Sequence, residues 1–235
     1  MQRFLDIVLS SLALLLLSPL LIPIVVILRL TGEGEVFFRQ QRVGRKGRMF
    51  GLYKFATMMK DSPNLGTGTV TVKGDPRILP VGRFLRKTKI NELPQLLNIL
   101  VGDMSVIGPR PQTLRCFDAF PVRSQDRIRS VRPGLSGIGS IVFRDEEEIM
   151  DTAGDPEDFY DNVIMPYKGQ LEEWYVDNRS VYLYVHLIVL TVCVVLFPKS
   201  GIIWKAFPTL PRPGEALRPF FGPDSGPRLS GNGHR

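Results

Sequence analysis

Apolar and polar positions are unevenly spread along the 235-residue chain. Ile7 to Leu28 is 22 residues without a charge. As a helix rising about 1.5 Å per residue it would be roughly 33 Å long, enough to cross a bilayer core. It is too long for a signal-peptide core, and no small-x-small cleavage site follows it. Ser18-Pro19 interrupts it at the middle and Pro23 follows one turn later. Proline removes a helix hydrogen bond, and in lipid the freed carbonyls need other partners, for which the Ser18 hydroxyl is suited. Two forms fit: a kinked single span, or a re-entrant helix–break–helix that enters and leaves by one face. A second apolar run, Val181 to Phe197, has 17 residues and no charge, with His186 inside it. That is the short limit for a span. It is read as a membrane-associated helix that does not cross, with His186 as a packing residue.

Between these runs the pattern is that of a folded domain. Gly44 to Thr57 reads as short strands around a glycine turn. Asp61 to Pro80 is rich in Gly, Pro, Thr and Asn and reads as loop. Val81 to Leu100 is helical in character, with Leu93, Leu96, Leu97 and Leu100 on one helix face. Asn91 is placed to cap that helix, Glu92 to open it and Pro94 to lie in its first turn. Tyr160 to Arg179 is an amphipathic helix with Trp174 and Tyr175, residues suited to a headgroup interface. The segment after Lys205 carries six prolines and five glycines and is expected to be a disordered tail. The expected class is α/β and membrane-associated: mostly helical, with interfacial helices and a small β element. The expected divisions are residues 1–30, a domain over 31–200, and a tail over 201–235.

Charge then sets the side of the membrane. Arg29, Arg39, Arg42, Arg45, Lys46, Arg48, Lys54 and Lys60 face only Glu33 and Glu35, a net of +6 over this flank. The positive-inside rule makes the flank cytoplasmic, and it also suits an anionic bilayer surface. The overall net charge of +7 has a membrane explanation, so nucleic-acid binding is not expected. Cys116 and Cys193 are the only cysteines, which excludes a disulfide scaffold or a cysteine metal cluster. Nine acids and no Lys or Arg lie between Asp145 and Asp161, a solvated acidic stretch.

Chemistry concentrates in Arg83 to Pro111. A carboxylate at Glu92, beside a helix start and preceded by Arg83, Arg86, Lys87 and Lys89, suits a phosphate site or a divalent cation. The same residues serve equally as a cap and a dipole partner. Arg110 is held between Pro109 and Pro111, either as a solvated turn residue or as a preorganised phosphate contact. Arg132-Pro133-Gly134 with Gly137 and Gly139 forms another stiff-then-flexible loop, without the spacing of a P-loop.

Taken together, Arg3-Phe4-Leu5-Asp6, Ser18-Pro19, the run Phe37 to Gly44, Tyr53-Lys54-Phe55, Asp75-Pro76-Arg77, Asn91-Glu92-Leu93-Pro94-Gln95, Gly102-Asp103-Met104-Ser105, Gly108-Pro109-Arg110-Pro111 and Arg132-Pro133-Gly134 resemble the bacterial sugar transferases. These are small monotopic phosphoglycosyl transferases, and the matches run in their order over residues 1 to about 190. The resemblance implies transfer of a phospho-sugar from a nucleotide diphosphate sugar, usually a UDP-sugar, to polyprenol (undecaprenyl) phosphate, with release of UMP. It implies Mg²⁺, a re-entrant helix broken at Ser18-Pro19, and a catalytic domain on the cytoplasmic face of the bacterial inner membrane. By motif position the substrate phosphates would meet Lys54, Arg86, Arg110 and Arg144. Catalysis would fall to the Asn91-Glu92 pair, with Glu92 as metal ligand and Asp103 and Glu172 as further acidic candidates. The family pair is Asp-Glu, so Asn91 is a departure: an amide is a poor nucleophile and a poor metal ligand. Either Glu92 takes over, as nucleophile or by orienting the acceptor in a direct displacement, or the chain is a catalytically silent scaffold of a glycan assembly complex. The acidic stretch from Ser140 to Glu148 also departs from the family pattern, which leaves the sugar open. Homo-oligomerisation is open as well.

Overall fold

In the computed structural model, residues 1–31, 33–62, 75–151, 154–197 and 201–221 are described. The chain clusters into two units, which do not follow the three divisions expected. One comprises Met1, Arg3–Arg42 and Met49–Met104; the other comprises Gln2, Val43–Arg48 and Ser105–Arg235.

The first unit begins with α1 (Gln2–Leu30), which stays helical through Pro19 and Pro23. The helix is thus not interrupted at Ser18-Pro19, and the two prolines inside it are the places where it can bend. The Ser18 hydroxyl donates to Leu15 O at 2.7 Å, the local compensation that proline calls for. Both ends of α1 are tied to this unit. The Arg3 guanidinium donates to Ile99 O (2.5 Å) and Leu100 O (2.8 Å). Ile24 and Leu28 pack with Phe55 and Leu85. The middle is bare, with Leu15 70% and Leu16 69% exposed. β1 (Phe37–Val43) and β2 (Met49–Phe55) form a two-stranded sheet; the stretch Gly44 to Thr57 holds the turn and the second strand, whereas the first strand lies before it rather than inside it as expected. Lys46 and Gly47 in that turn have φ of 60° and 72°. Asp75 and Arg77 form a buried pair, Nη2–Oδ2 2.6 Å and Nε–Oδ1 2.9 Å, and Arg77 also donates to Ser62 O. That clamp joins the two chain ends flanking 63–74, the part of the expected loop that lies outside the described residues.

α2 (Pro80–Lys87) and α3 (Gln95–Val101) follow, separated by a 3-10 turn at Ile90–Glu92. Gly82 lets α2 approach Thr57 so closely that a Cβ there would collide with the Thr57 carbonyl. The face of α3 differs from the leucine face expected: Gln95, Leu96, Asn98 and Ile99 are buried. Asn98 faces β2 and acts as a missing strand. Its Oδ1 accepts from Tyr53 N and its Nδ2 donates to Gly51 O, both at 2.9 Å.

The second unit is built on α9 (Met165–Asp177) and α10 (Val181–Leu196). Short helices α4 (Leu114–Asp118), α5 (Val122–Arg129), α6 (Ile138–Val142), α7 (Glu146–Asp151) and α8 (Pro156–Phe159) surround them. Strands β3 (Ser105–Ile107) and β4 (Gly134–Ser136) pair in parallel. Trp174 and Tyr175 do not form a headgroup belt. Tyr175 is buried and donates to Ile107 O (3.1 Å), while Trp174 packs on Phe207 and donates to Thr209 Oγ1 (3.2 Å). α10 buries Leu183, Tyr184, Leu187 and Leu190 and leaves Tyr182, Val185, Val189, Val192, Val195 and Leu196 exposed. His186 packs between Tyr182 and Phe207, the packing role expected of it.

The segment after residue 200 corrects the disordered tail. Over 201–221 it forms α11 (Ile202–Ala206) and a 3-10 turn, and buries Ile203, Trp204, Phe207, Leu210 and Leu217. Its Pro/Gly content concealed a regular supply of large apolar anchors, and burial of those anchors outweighs the lack of regular secondary structure. Residues 222–235 lie outside the described residues.

Asn98→Ala leaves two backbone groups of β2 unpartnered and is expected to lower stability by about 2–4 kcal/mol. Val101→Ala, at a site 69% exposed, should change it by less than about 0.5 kcal/mol. Urea unfolding of the detergent-solubilised chain checks both values, and equal effects would refute the role of Asn98.

Candidate active site

On the first unit, β2 and α2 both pack against the turn at Ile90–Glu92. Lys54 on β2, Arg86 on α2 and the Asn91-Glu92 pair are thereby gathered on one body. Lys54, Arg86 and Glu92 are half-buried. Asn91 is not a helix cap. It lies inside the 3-10 turn, whose own cap is Lys89 in a left-handed conformation (φ 59°), and α3 starts only at Gln95, after Pro94. The cause is Pro94: without an N–H it cannot extend helical bonding back across Asn91-Glu92, and the turn closes instead by Glu92 N→Lys89 O and Leu93 N→Ile90 O, both 3.1 Å. The Asn91 side chain is released from capping and sits 9% exposed, with its Oδ1 buried and without a hydrogen-bond partner. A buried orphan acceptor is unusual and invites a ligand or a cation.

Asp103 is on the same unit, exposed, and accepts from Asn98 Nδ2 at 3.4 Å. Through Asn98 it belongs to the support of β2, the strand that carries Lys54. Asn98 itself was absent from the candidates read in the sequence. An uncharged residue on a leucine-rich helix gives no chemical signal, although an amide on the face later found buried could have given one.

On the second unit, the Gly108–Pro111 and Arg132–Gly137 segments are interlocked. Gly108 N donates to Ser136 O (2.9 Å), Gly134 N to Pro109 O (2.8 Å) and Ser105 N to Pro133 O (2.8 Å). A Cβ at Gly134 or Gly137 would collide with the Gly108 backbone, so the approach requires glycine at both. Arg110 ends this brace with an exposed side chain. Its backbone N–H donates to the carboxylate of Glu172 on α9. Glu172 is 3% exposed, lies against Gly139, and has one oxygen without a hydrogen-bond partner. Burial pushes its carboxyl up to about 7, while the Arg110 N–H and nearby Lys168 pull the other way. Lys168, 5% exposed, donates to Glu146 Oε1 at 2.5 Å. Burial depresses its pKa, and Arg110 adds to that, while Glu146 and Glu172 oppose it. Glu146 thus departs from the solvated character of its acidic neighbours. Arg144 is exposed and donates to Val194 O, near the end of α10. That contact suits a cation at a helix C-terminus.

A sequence profile described as bacterial sugar transferase matches residues 1–198. The chain belongs to the bacterial sugar transferase family. An Aeromonas hydrophila UDP-N-acetylgalactosamine-undecaprenyl-phosphate N-acetylgalactosaminephosphotransferase is 36% identical over 83% of the chain and 43% of the relative. A UDP-glucose:undecaprenyl-phosphate glucose-1-phosphate transferase of Escherichia coli K12 is 33% identical, covering 82% and 39%. The exopolysaccharide production protein ExoY of Rhizobium meliloti is 36% identical over 62% and 70%. The chain thus spans about two fifths of the length of the first two relatives.

The residues at the Asn91-Glu92 turn fit a magnesium ion. Among the described residues no three His, Cys, Asp or Glu side chains gather to hold a metal alone. Glu92 offers one carboxylate, the kind of oxygen donor through which Mg²⁺ is usually held, and the buried unpartnered Asn91 Oδ1 lies on the same turn.

The raised Glu172 carboxyl sets a pH dependence. Below about pH 4.5 it is protonated in both the folded and unfolded chain. Between 4.5 and about 7 the unfolded chain releases a proton that the fold retains, so stability falls as pH rises. The loss amounts to roughly 3 kcal/mol and is complete above pH 7. Glu172→Gln keeps an acceptor for the Arg110 N–H and should lose this slope. Urea midpoints from pH 4 to 8 test it, and parallel curves for the two proteins would refute it.

Proposed function

We propose that this protein transfers a phospho-sugar from a UDP-sugar to undecaprenyl phosphate, releasing UMP, in the first membrane step of a bacterial glycan. The observation that carries the proposal is the gathering of Lys54, Arg86, Asn91 and Glu92 on one unit of a bacterial sugar transferase chain. A phosphate oxygen of the acceptor, or first the Glu92 carboxylate, attacks the sugar-bearing phosphorus. The bond from that phosphorus to the bridging oxygen breaks and UMP leaves; where Glu92 attacks first, an acceptor phosphate oxygen then attacks the same phosphorus and the bond to the Glu92 carboxylate breaks. Lys54 and Arg86 offset the charge of the diphosphate, and motif position makes Arg110 and Arg144 candidates for contact with a phosphate. Glu92 would hold Mg²⁺, which would supply charge neutralisation on the leaving phosphate. Asn91 cannot form a stable phospho-adduct, so Glu92 is the one carboxylate of the pair that can.

The reaction belongs at the cytoplasmic face of the inner membrane, with α1 dipping into the bilayer and returning. Support comes from α1 itself. A straight helix of 29 residues would be about 43 Å long, yet the residues near both its ends bond or pack to the same unit while its middle offers bare leucines. For α10, 16 residues reach only about 24 Å, and the segment after it returns to pack on His186 and Trp174. Both features support association without crossing.

Membranes containing the chain, supplied with undecaprenyl phosphate, Mg²⁺ and a panel of UDP-sugars, should release UMP with one donor. Glu92→Gln is expected to abolish that release, a fall of about a hundredfold or more, and Asn91→Asp to retain or raise it. Full activity in Glu92→Gln would move the chemistry to Asp103 or Glu172. A cysteine placed at position 2 should react with an impermeant maleimide only from the cytoplasmic side. Labelling from outside would make α1 a true span.

A further inference from the structure

The segment 201–221 lies beyond the residues matched to the family, yet it is anchored at several points to the second unit. Tyr167 OH donates to Pro211 O (2.9 Å) and Trp174 Nε1 to Thr209 Oγ1 (3.2 Å). Arg212 lies 5.0 Å over the Trp204 ring. The far end of the segment presses on one residue, Phe143. The Phe221 ring meets it edge-on at 5.3 Å and also meets Tyr167 at 6.2 Å, and Trp204 backs Phe221 at 6.3 Å.

Phe143 occupies a pivotal place. It ends α6, it is 4% exposed, and Arg144 follows it directly. Lys168 Nζ lies 5.0 Å over its ring while holding Glu146. Earlier in the same loop, Gly139 abuts the Glu172 carboxyl that accepts the Arg110 backbone N–H. A continuous set of contacts therefore runs from Phe221 through Phe143 and the 138–146 loop to Glu172 and the backbone of Arg110.

We infer that residues 201–221 form a strap that positions the 138–146 loop, and through it Arg110, for the sugar donor. This rests on the transferase reading above. Phe221, Trp204 and Phe143 are positioning residues, for Trp204 and Phe143 are buried, Phe221 is half-buried, and the rings pack on one another. The strap acts on binding of the donor: a loop that wanders must be ordered when the UDP-sugar arrives, which weakens affinity without removing a reacting group. Large aromatic anchors suit this task, because ring contacts fix orientation as well as burying area.

The test uses the full chain and its Phe221→Ala and Phe221→Leu variants in detergent micelles. Amide hydrogen exchange reports the loop without reference to activity. In Phe221→Ala, amides of 138–148 should exchange about tenfold faster while those of 95–101 keep wild-type protection. The KM for the UDP-sugar should rise about three- to tenfold with kcat within about twofold of wild type. Phe221→Leu, which keeps an apolar plug, should restore most of both. Unchanged exchange at 138–148, faster exchange spread equally over 95–101, or an unchanged KM would each overturn the proposal. A wild-type chain that releases no UMP with any donor would overturn the transferase reading instead. The exchange comparison would then still decide whether the strap holds the loop.

Discussion

Both sheets among the described residues are only two strands wide, so the outer edge of each strand looks elsewhere for hydrogen-bond partners. A buried backbone N–H or C=O without a partner costs about as much as a lost hydrogen bond. Helix side chains meet this demand. Asn98 serves Gly51 and Tyr53 of β2, and Tyr175 serves Ile107 of β3. Just past β3, Glu172 serves the N–H of Arg110. These contacts lock β2 to α3 and β3 to α9. The strand carrying Lys54 and the proline-flanked Arg110 are placed by these side chains.

The Asn91-Glu92 turn shows a different economy. Pro94 prevents the helix from extending back over the pair, so neither residue is committed to capping. The amide oxygen of Asn91 is left buried and unpartnered, a state that a fold seldom tolerates without a use for it. Substitution of a carboxylate by an amide at this point removes a charge but keeps an oxygen acceptor. Glu92 is then the one carboxylate of the pair.

In the second unit, acidity and burial are combined with similar care. Lys168 and Glu146 form a buried pair beneath the acidic helix α7, and Glu172 sits beside them with its proton held more tightly than usual. Such pairs are weak contributors to stability, because desolvation offsets most of the attraction. Their value here is geometric: Lys168 ties the start of α7 to α9 and stacks on Phe143, the residue that the C-terminal strap also grips.

The sequence by itself determined the class and the family. Hydropathy located both apolar helices, the glycines located the turn and second strand of the first hairpin, and the motif order identified the family, because these signals are local or nearly so. Lys54, Arg86 and Glu92 were legible as charged residues in a dense motif, and the structure gathers them on one unit. What only the tertiary structure decided is which residues do the holding. The buried faces of Asn98 and Tyr175 depend on strands far away in sequence, and Asn91 lost its expected capping role to the backbone effect of Pro94. Proline and glycine content made 201–221 look disordered, whereas Trp204, Phe207 and Leu217 find a surface to bury against. Periodicity and composition report what a segment offers. The partner that accepts the offer is set by long-range packing, and packing decides between a loose tail and an ordered strap.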